Sequence, residues 1–237
     1  MYFIGYVFGS SFTKACLFNA ETGKVVANAQ YPEAEQPIQV EQPEWAEQHP
    51  ELWWKGVKYA TLQLMLDNKV SLEDIKGIGI SYQMHGLVLV DAKQNVLRPS
   101  IIWCDSRAVE SGNKAFREIG ENICLEHLLN SPGNFTASKL KWVQENEPEI
   151  YSKTHKFMLP GDYIAMRLSG EIQTTICGLS EGIFWDFKNA TTANFLLSHL
   201  TIDSALIPDI VTCMGSQSVL SKKAADELNL VAGIPIT

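Results

Sequence analysis

The sequence has no run of about 18 apolar residues, the length at which a membrane-spanning helix would be predicted. Its opening, MYFIGYVFGSS, has a very short apolar run with no basic stretch ahead of it. We therefore predict no signal peptide here. Basic residues are also scarce, because 19 Lys and Arg stand against 27 Asp and Glu, for a formal charge of −8. An acidic surface disfavours extended binding to nucleic acid or to an anionic membrane. We therefore expect neither as a partner.

Cysteine is scarce and follows no pattern. The five cysteines are odd in number and contain no CxxC spacing: Cys16, Cys104, Cys124, Cys177 and Cys213. From this spacing we predict neither disulfides nor a zinc site. It indicates reduced thiols in a cytoplasmic protein. We expect the cysteines to pack as small buried hydrophobes.

What the sequence does have is the composition of a folded domain. Of its 237 residues, 46% are hydrophobic and 19% charged, with a mean hydropathy of −0.04. These values are typical of globular rather than disordered chains. Without an internal repeat, a low-complexity segment or a clear linker, the chain is predicted to form one domain over residues 1–237.

Strands are predicted early in the chain and helices later, which indicates an α/β domain. The predicted strands are 2–7, 13–19, 24–30 and 75–81, with a further hairpin and strand within 86–105. The predicted helices are 47–67, 105–119, 136–146, 160–168 and 221–229. The first three strands read as a β-meander, in which Gly23 suits a turn that requires a positive φ.

The predicted helix over 47–67 carries the clearest periodicity. Pro50 suits its first turn, where a missing backbone N–H costs nothing. Apolar residues then recur at i, i+4, i+7 and i+11, namely Trp53, Val57, Ala60 and Leu64. This spacing predicts a single stripe that packs against the core.

The stretch GYVFGSSFTK, residues 5–14, has the composition of an anion-binding loop. Gly9 lets backbone amides approach an anion, the hydroxyls of Ser10 and Ser11 add donors, and Lys14 adds positive charge. The Walker pattern GxxxxGK[ST] is absent. The alternative is an ordinary hairpin with a surface lysine.

Polar side chains also follow the buried strand over 75–81. Gln83, Met84 and His85 come directly after it and precede a glycine. Residues at strand ends often line a site, and amide and imidazole groups both donate to and accept from hydroxyls. The alternative is that the histidine is only structural.

A third candidate is IIWCDSRA, residues 101–108. Trp103 and Asp105 together would suit a sugar, since an aromatic face packs on C–H groups and a carboxylate accepts from hydroxyls. The alternatives are that Asp105 caps the helix that follows and that Arg107 simply pairs with it.

Two later stretches favour structural interpretations. In SPGNFTASKLKWV, Asn134 or Thr136 is predicted to cap the next helix. In MLPGDYIAMRLSGE, Pro160 is predicted to begin a helix and Gly170 to end it, with Asp162 complementing the helix dipole.

These segments, in this order, resemble the FGGY carbohydrate kinases, and among them the xylulokinases. The likeness covers essentially the whole chain and rests on the ordered series GSSFTK, WAEQHPELWW, GISYQMHGLVLVD, LRPSIIWCDSR, GNFTASKLKWVQENEPEIY and MLPGDYIAMRLSGE. It implies a mixed sheet flanked by helices, in a ribonuclease-H-like domain of the actin/hexokinase/Hsp70 ATPase type. It also implies two such domains, with ATP and sugar meeting between them.

The resemblance assigns expected roles to residues of this chain. Gly9, Ser10, Ser11 and Lys14 would hold the phosphates of ATP. A second set would contact or support the sugar, D-xylulose: Met84, His85, Gln83, Trp103 and Asp105. The implied reaction is ATP- and Mg²⁺-dependent phosphorylation to D-xylulose 5-phosphate.

The resemblance leaves the catalytic centre incomplete in this sequence. The general-base aspartate, the adenine pocket and the nucleotide-binding domain are expected beyond Thr237, so residues 1–237 correspond to the N-terminal, sugar-binding domain. The final LVAGIPIT reads as a loop entering a strand, in keeping with that expectation. A homodimer is left open.

Val7 departs from the resemblance. The family has an aspartate at this position, expected to help organise Mg²⁺, and valine cannot bind a hard cation. Two other functions therefore stay open as alternatives to a xylulokinase. One is a sugar-binding or regulatory protein without catalysis, and the other is a kinase for another ketose or polyol. A scaffold or oligomer subunit without a ligand is a third alternative.

Overall fold

The computed structural model describes residues 1–66 and 70–237, and within them the chain forms fourteen strands. In chain order the strands are β1 (Tyr2–Phe8), β2 (Thr13–Asn19), β3 (Lys24–Tyr31), β4 (Glu47–Gln48), β5 (Ile75–Tyr82), β6 (Val88–Val90), β7 (Ser100–Ile101), β8 (Lys156–Met158), β9 (Gln173–Thr175), β10 (Trp185–Asp186), β11 (Thr191–Thr192), β12 (Asp209–Val211), β13 (Ser218–Val219) and β14 (Pro235–Ile236).

Nine α-helices are present in the same described ranges. They are α1 (Pro50–Leu66), α2 (Val109–Ile119), α3 (Glu121–His127), α4 (Thr136–Asn146), α5 (Pro148–Lys153), α6 (Pro160–Ser169), α7 (Ile176–Glu181), α8 (Asn194–Leu200) and α9 (Lys222–Leu228). Two short 3-10 turns cover Leu72–Asp74 and Ser204–Leu206. In this described part of the chain, no helix combines the length and the apolar character needed to cross a bilayer.

One six-stranded mixed sheet organises the molecule, in the order β13-β14-β5-β1-β2-β3. β1, β2 and β3 are antiparallel neighbours, and β5 and β14 run parallel to β1. The predicted β-meander is confirmed, and Gly23 adopts the predicted positive φ, +67°, in its second turn. The predicted mixed sheet flanked by helices is confirmed as well.

Helix α1 packs across the meander as its apolar stripe predicts. It begins at Pro50 and not at the predicted residue 47, because Glu47 and Gln48 form β4. Its stripe is buried, namely Trp53, Val57, Ala60 and Leu64. On the facing strand, the Tyr6 hydroxyl lies 2.6 Å from the Thr61 hydroxyl, so the buried polar groups of the two elements satisfy each other. The predicted final residue of this helix, Asp67, lies outside the described residues.

The buried side chains form two clusters. One lies between the central sheet and helices α1, α6 and α9, and includes Tyr6, Trp53 and Tyr163. The other joins α2, α4, α7 and α8 to strands β6–β8, and includes Phe157 and Phe184, whose rings stack with centroids 4.4 Å apart. The second cluster includes Leu87, five residues after the last residue of β5, and so supports the loop that follows this strand.

The later part of the chain departs from the sequence predictions in several places. The hairpin predicted within 86–105 is reduced to isolated bridges, because β6 pairs with the distant β8 instead. The helix predicted from residue 105 begins only at Val109. Helices α3, α5, α7 and α8 were not predicted. Each has six or seven residues, a length at which a helix depends on tertiary packing rather than on its own sequence pattern.

Helix α6 begins at Pro160 and ends at a left-handed Gly170, as predicted. Near its start, the Asp162 carboxylate accepts hydrogen bonds from the Leu159 backbone N–H at 3.1 Å and from the Thr174 hydroxyl at 3.0 Å. Burial nevertheless raises the pKa of Asp162 to about 7, because desolvation of the charge outweighs these two bonds.

We predict that Asp162→Asn costs more stability at pH 5 than at pH 8. Between about pH 4 and pH 7 the folded protein holds a proton that the unfolded chain has lost. The stabilising contribution is therefore complete below the unfolded pKa and is lost as the pH rises through 7, by an amount on the order of 2 kcal/mol. Asparagine resembles the protonated form and removes this dependence.

Urea unfolding of both proteins at the two pH values measures the effect. Asp91→Asn is the control, because Asp91 is partly exposed and hydrogen bonds from Asn95 hold its pKa below the ordinary value. Its substitution should cost the same at both pH values. An equal cost for Asp162→Asn at pH 5 and pH 8 would contradict the prediction.

Candidate functional site

Two of the sequence motifs meet where β1 and β5 end. The strands run parallel in a register that places Phe8 beside Tyr82. The next backbone contact continues this pairing, with the Gln83 N–H donating to the Phe8 carbonyl at 2.6 Å. The loop that starts at Gly9 and the loop that starts at Gln83 therefore leave the same edge of the sheet. Crevices at the carboxyl ends of strands are common ligand sites.

The loop from Gly9 to Phe12 is held at three points. The Gly9 N–H donates to the Phe12 carbonyl at 2.9 Å, which closes the turn. The Ser11 carbonyl accepts from the backbone N–H of Gln36 at 2.8 Å. The Ser10 carbonyl accepts from the buried side chain of Gln48 at 2.6 Å. With its carbonyls bound from behind, the loop has a fixed backbone shape.

Val7 and Lys14 are neighbours on the strands that flank this loop. They are opposite each other in the β1–β2 ladder, and Ser81 is the partner of Val7 on β5. Val7 is half exposed and Lys14 is exposed, so both side chains lie on the open face of the sheet rather than in the core. Position 7 is thus a surface position at the edge of the candidate site.

The groups around position 7 do not suit Mg²⁺. The neighbouring side chains are a valine, a lysine and a serine, whereas Mg²⁺ is bound through one or two carboxylates together with phosphates and water. In residues 1–66 and 70–237, no cluster of three or more His, Cys, Asp or Glu side chains could hold a metal ion. The loop offers hydrogen-bond donors for an anion, but the side chains around position 7 offer no carboxylate to bind Mg²⁺.

The second loop presents His85 from a strained backbone. His85 has a φ of +58°, uncommon for a residue with a side chain. Its Nδ1 lies 3.0 Å from the Glu181 carbonyl, to which it donates, and this leaves Nε2 as an acceptor. Burial, opposed by that hydrogen bond, and the positive charge of Lys139 together lower the pKa of the ring. The imidazole is therefore neutral near pH 7.

An open cavity of about 700 Å³ lies in front of this loop. Met84, His85, Phe135, Cys177 and Glu181 are among the residues that line it. The Phe135 ring meets the His85 ring edge-on, with centroids 4.4 Å apart. An apolar cavity with a few polar groups, of this volume, suits a small organic molecule.

Trp103 connects the third motif to the first loop. Its indole Nε1 lies 3.4 Å from the Ser10 hydroxyl, and about half of its surface is exposed. The Trp103 carbonyl accepts from the Asn134 side chain at 3.4 Å, and Asn134 also donates to the Asp105 carbonyl. Asn134 therefore holds this segment and does not cap α4. Thr136 is the first residue of α4 and does not cap it either, so both predicted caps are wrong.

Asp105 is a buried support in this structure and not a surface ligand. Its side chain is fully buried, and it accepts from the Ala46 N–H at 2.6 Å and from the Arg107 guanidinium at 2.7 Å. The predicted N-cap is wrong, because α2 begins four residues later. The predicted pairing with Arg107 is confirmed. This burial also corrects the sugar clamp, since the carboxylate has no exposed surface from which to accept a sugar hydroxyl.

Arg107 extends this support into a buried network. Its guanidinium also pairs with Glu47 at 2.7 Å, and it lies against the rings of Trp45 and Trp142, at 3.7 and 4.9 Å from the ring centroids. Glu47 belongs to the short strand β4, which leads directly into Gln48. The network therefore fixes the strand that carries the side chain holding the Ser10 carbonyl.

Gln83 has a different environment from its neighbours in the motif. Its side chain is 8% exposed, and neither amide atom has a hydrogen-bond partner in the part of the chain that the structure describes. A buried amide without a partner costs folding free energy. Its position directly after β5 makes it a candidate for a polar contact at this edge of the sheet.

Lys139 and Gln48 are site residues that the sequence analysis missed. Lys139 is fully buried, and its ammonium donates to the carbonyls of His85 at 3.0 Å and Asn134 at 2.9 Å. Burial, partly offset by Asp105, lowers its pKa to about 8. A signal was available, because Lys139 lies three residues after Thr136 and four before Val143, on the buried face of a predicted helix.

Comparisons with known proteins give consistent results. The family model of the N-terminal domain of the FGGY family of carbohydrate kinases matches residues 2–237. Xylulose kinase of Escherichia coli (strain K12) is 32% identical over 231 residues, covering 92% of this chain and 46% of that protein. Xylulose kinase of Bacillus subtilis (strain 168) is 33% identical over 223 residues, covering 91% and 43%. The chain thus spans about half the length of these relatives.

A solved structure supports the same result for the fold. The crystal structure of a xyloylose kinase from Brucella ovis superposes with a TM-score of 0.90 at 28% identity, covering 100% of this chain and 48% of that one. The predicted fold class, a ribonuclease-H-like domain of the actin/hexokinase/Hsp70 type, is confirmed by this likeness.

We predict that Lys139→Met raises the pKa of His85 and destabilises the fold. The ammonium charge lowers the pKa of the ring, so its removal should move that pKa back toward the ordinary value. Two carbonyls would lose their donor, at about 1–3 kcal/mol for each buried group left unpaired.

Nuclear magnetic resonance titration of the histidine rings and urea unfolding measure the two effects. Lys141→Met is the matched control, since Lys141 lies on the same helix and bonds to Gln144 and Glu145 of α4 and to Thr201. It should leave the His85 titration unchanged. A His85 titration that is the same in the wild type and in Lys139→Met would contradict the positioning role.

Proposed function

Since this chain belongs to the FGGY family of carbohydrate kinases, we propose that residues 1–237 form the sugar-binding domain of an ATP-dependent kinase that converts D-xylulose to D-xylulose 5-phosphate. The observation that carries the proposal is the meeting of two loops at the ends of β1 and β5. One loop offers donors for an anion, and the other borders a cavity suited to a small polar molecule. Phosphoryl transfer needs these two sites side by side.

The phosphate end of the proposed site is the Gly9–Phe12 loop. We assign phosphate contacts to Gly9, Ser10, Ser11 and Lys14, because the carbonyls of Ser10 and Ser11 are already bound from behind. The hydroxyls and the ammonium group stay on the open side. Their role is to hold the phosphates in line with the acceptor. The ligand set described above does not fit Mg²⁺, so we assign no metal ligand to this domain.

The sugar end of the proposed site is the loop from Gln83 to His85. Met84 would pack on the carbon chain, and the neutral His85 would accept a hydrogen bond from a sugar hydroxyl through Nε2. Gln83 and Trp103 would act at the boundary between sugar and phosphate, since the Trp103 indole lies within 3.4 Å of the Ser10 hydroxyl. Asp105 acts only as a buried support.

The remaining parts of the reaction are assigned to a second domain. We propose that the general-base aspartate, which would take the proton from the attacking hydroxyl, and the adenine pocket belong to the half of the family's fold that residues 1–237 do not include. A cytoplasmic location belongs to the same proposal, and a homodimer is left open. By this proposal the chain alone binds the sugar without phosphorylating it.

Val7 favours a second candidate function. A valine at a half-exposed position beside the phosphate loop removes a carboxylate that the resemblance predicts. A protein of this family that binds its sugar without catalysis would tolerate that change. Isothermal calorimetry with D-xylulose, and with ribulose and glycerol as competing ligands, tests sugar binding directly. No heat with D-xylulose at millimolar concentration would overturn sugar binding under either function.

We predict that His85→Ala weakens D-xylulose binding about 2- to 13-fold. The loss of one hydrogen bond to a hydroxyl is worth about 0.5–1.5 kcal/mol. His155→Ala is the control, because His155 is exposed and lies at the start of β8, away from the cavity lining. Equal affinities for the wild type and His85→Ala, with equal melting temperatures, would return His85 to a structural role.

We further predict that Val7→Asp raises Mg²⁺-dependent activity when this domain is joined to the second half of a xylulose kinase relative. An added carboxylate is a ligand that Mg²⁺ accepts, and the half-exposed position avoids most of the cost of burying a charge. The measurement is kcat against Mg²⁺ concentration for joined proteins with Val7, Val7→Asp and Val7→Asn.

The asparagine variant controls for shape, since it has the size of aspartate without its charge. Only the aspartate variant should shift the Mg²⁺ dependence. Superimposable curves for all three joined proteins would show that position 7 does not serve the cation.

A further inference from the structure

Two cysteines that the sequence analysis expected to be buried lie together at the surface. β9 and β12 pair in parallel, with Val211 beside Thr175 at their carboxyl ends. Cys177 and Cys213 each follow two residues after these partners, and both line the same small cavity. Cys177 is exposed and Cys213 is partly exposed. The prediction of buried cysteines holds only for Cys124, so it is wrong for these two.

The two thiols have different acidities. Desolvation acts to raise the pKa of Cys213, but hydrogen bonds from the Cys177 thiol, the Thr175 hydroxyl and the backbone amides of Cys177 and Ile176 outweigh it and lower that pKa. The pKa of Cys177 is raised, first because its thiol donates to Cys213 and then by burial. Cys213 is therefore the better nucleophile, and Cys177 retains its proton.

We propose that Cys177 and Cys213 form a reversible disulfide in response to hydroperoxides, and that this disulfide regulates the His85 loop. Neighbouring strands of a sheet lie about 4.8 Å apart, and a disulfide requires Cα atoms about 4.4–6.8 Å apart. Cys177 and Cys213 each lie two residues beyond such a neighbouring pair, in α7 and in the loop after β12, so we expect their Cα atoms to come within this range when the disulfide forms.

The reaction balances with hydrogen peroxide as the oxidant. The Cys213 thiolate attacks one peroxide oxygen, the O–O bond breaks, and the released hydroxide takes a proton from solvent to become water. The Cys177 sulfur then attacks the Cys213 sulfenic acid, the S–S bond forms, and the hydroxyl leaves with the thiol proton as a second water. Two thiols are oxidised, and one peroxide is reduced to two waters.

Helix α7 connects this pair to the candidate site. Cys177 lies in the first turn of α7, and Glu181, whose carbonyl accepts from His85 Nδ1 at 3.0 Å, is its last residue. Cys177, Glu181 and His85 also line the same cavity. A disulfide would tie the first turn of this six-residue helix to the loop after β12. We expect this constraint to change the position of the carbonyl that orients the imidazole.

Peptide mapping of the full chain tests the disulfide. The chain is treated with hydrogen peroxide, alkylated, digested and analysed by mass spectrometry, with and without a later reduction by dithiothreitol. We expect a Cys177–Cys213 linked peptide that disappears on reduction. Cys177→Ser and Cys213→Ser should each lose this peptide, whereas Cys104→Ser, which removes another exposed cysteine, should keep it.

Two results of this mapping would overturn the proposal. One is oxidation of Cys213 to a sulfinic acid with no linked peptide. The other is a disulfide that joins either cysteine to Cys104 or to a second copy of the chain.

Regulation of the His85 loop by the disulfide does not depend on the proposed function, but its effect on sugar binding rests on that proposed function. The two effects are therefore measured separately. Magnetic resonance signals of the His85 ring should shift on oxidation of the wild type and stay in place in Cys213→Ser. Unchanged His85 signals in a chain shown to carry the disulfide would overturn regulation. The affinity for D-xylulose should fall on oxidation, and this fall should be absent in Cys213→Ser.

Failure of the two proposals can be told apart. A reduced chain that binds no D-xylulose would overturn the proposed function, while the linked peptide and the His85 shift would still decide for or against the switch. A reduced chain that binds the sugar with an affinity unaffected by oxidation would overturn the switch alone.

Discussion

The parallel pairing of β1 with β5 is the constraint on which the rest of the site depends. It places Phe8 beside Tyr82, and a hydrogen bond from Gln83 to Phe8 extends the pairing by one step. Two motifs about seventy residues apart in the chain then begin at one sheet edge. A shift of one residue would turn alternate side chains to the other face and bury Val7 instead of Tyr6. The core therefore fixes the register, and the register fixes the site.

Buried charge holds the second side of the site in place. Arg107 lies against two tryptophan rings and pairs with both Asp105 and Glu47. Desolvation of such groups offsets most of their attraction, so the network contributes little net stability, yet removal of one partner typically costs about 3–5 kcal/mol. Its effect is geometric, because it fixes β4, and with it Gln48, whose side chain binds the Gly9–Phe12 loop. Lys139 acts similarly under His85, through two backbone carbonyls.

The sequence predicts the fold best where the pattern is long and local. The meander, the start of α1 at Pro50 and the bounds of α4 and α6 follow from periodicity and from proline and glycine signals. Four short helices, α3, α5, α7 and α8, could not be predicted, because packing rather than propensity stabilises them. Asp105 illustrates a second limit: a carboxylate before a helix resembles an N-cap, and only the tertiary position of Arg107 shows its actual partner. The cysteine pair has no sequence signal, since strands over thirty residues apart bring it together.

Side chains at this site fall into two groups, those that hold the backbone of a loop and those that are exposed to solvent. Gln48 and Lys139 are buried and bind loop carbonyls, so their replacement alters the shape of a loop. Val7 is half exposed and contributes only its own side chain to the open face of the sheet. A valine where the resemblance predicts an aspartate can therefore change the chemistry of the Gly9–Phe12 loop while its backbone stays fixed by Gln48 and Gln36. The family fold and the absence of a carboxylate at position 7 are for this reason compatible in one chain.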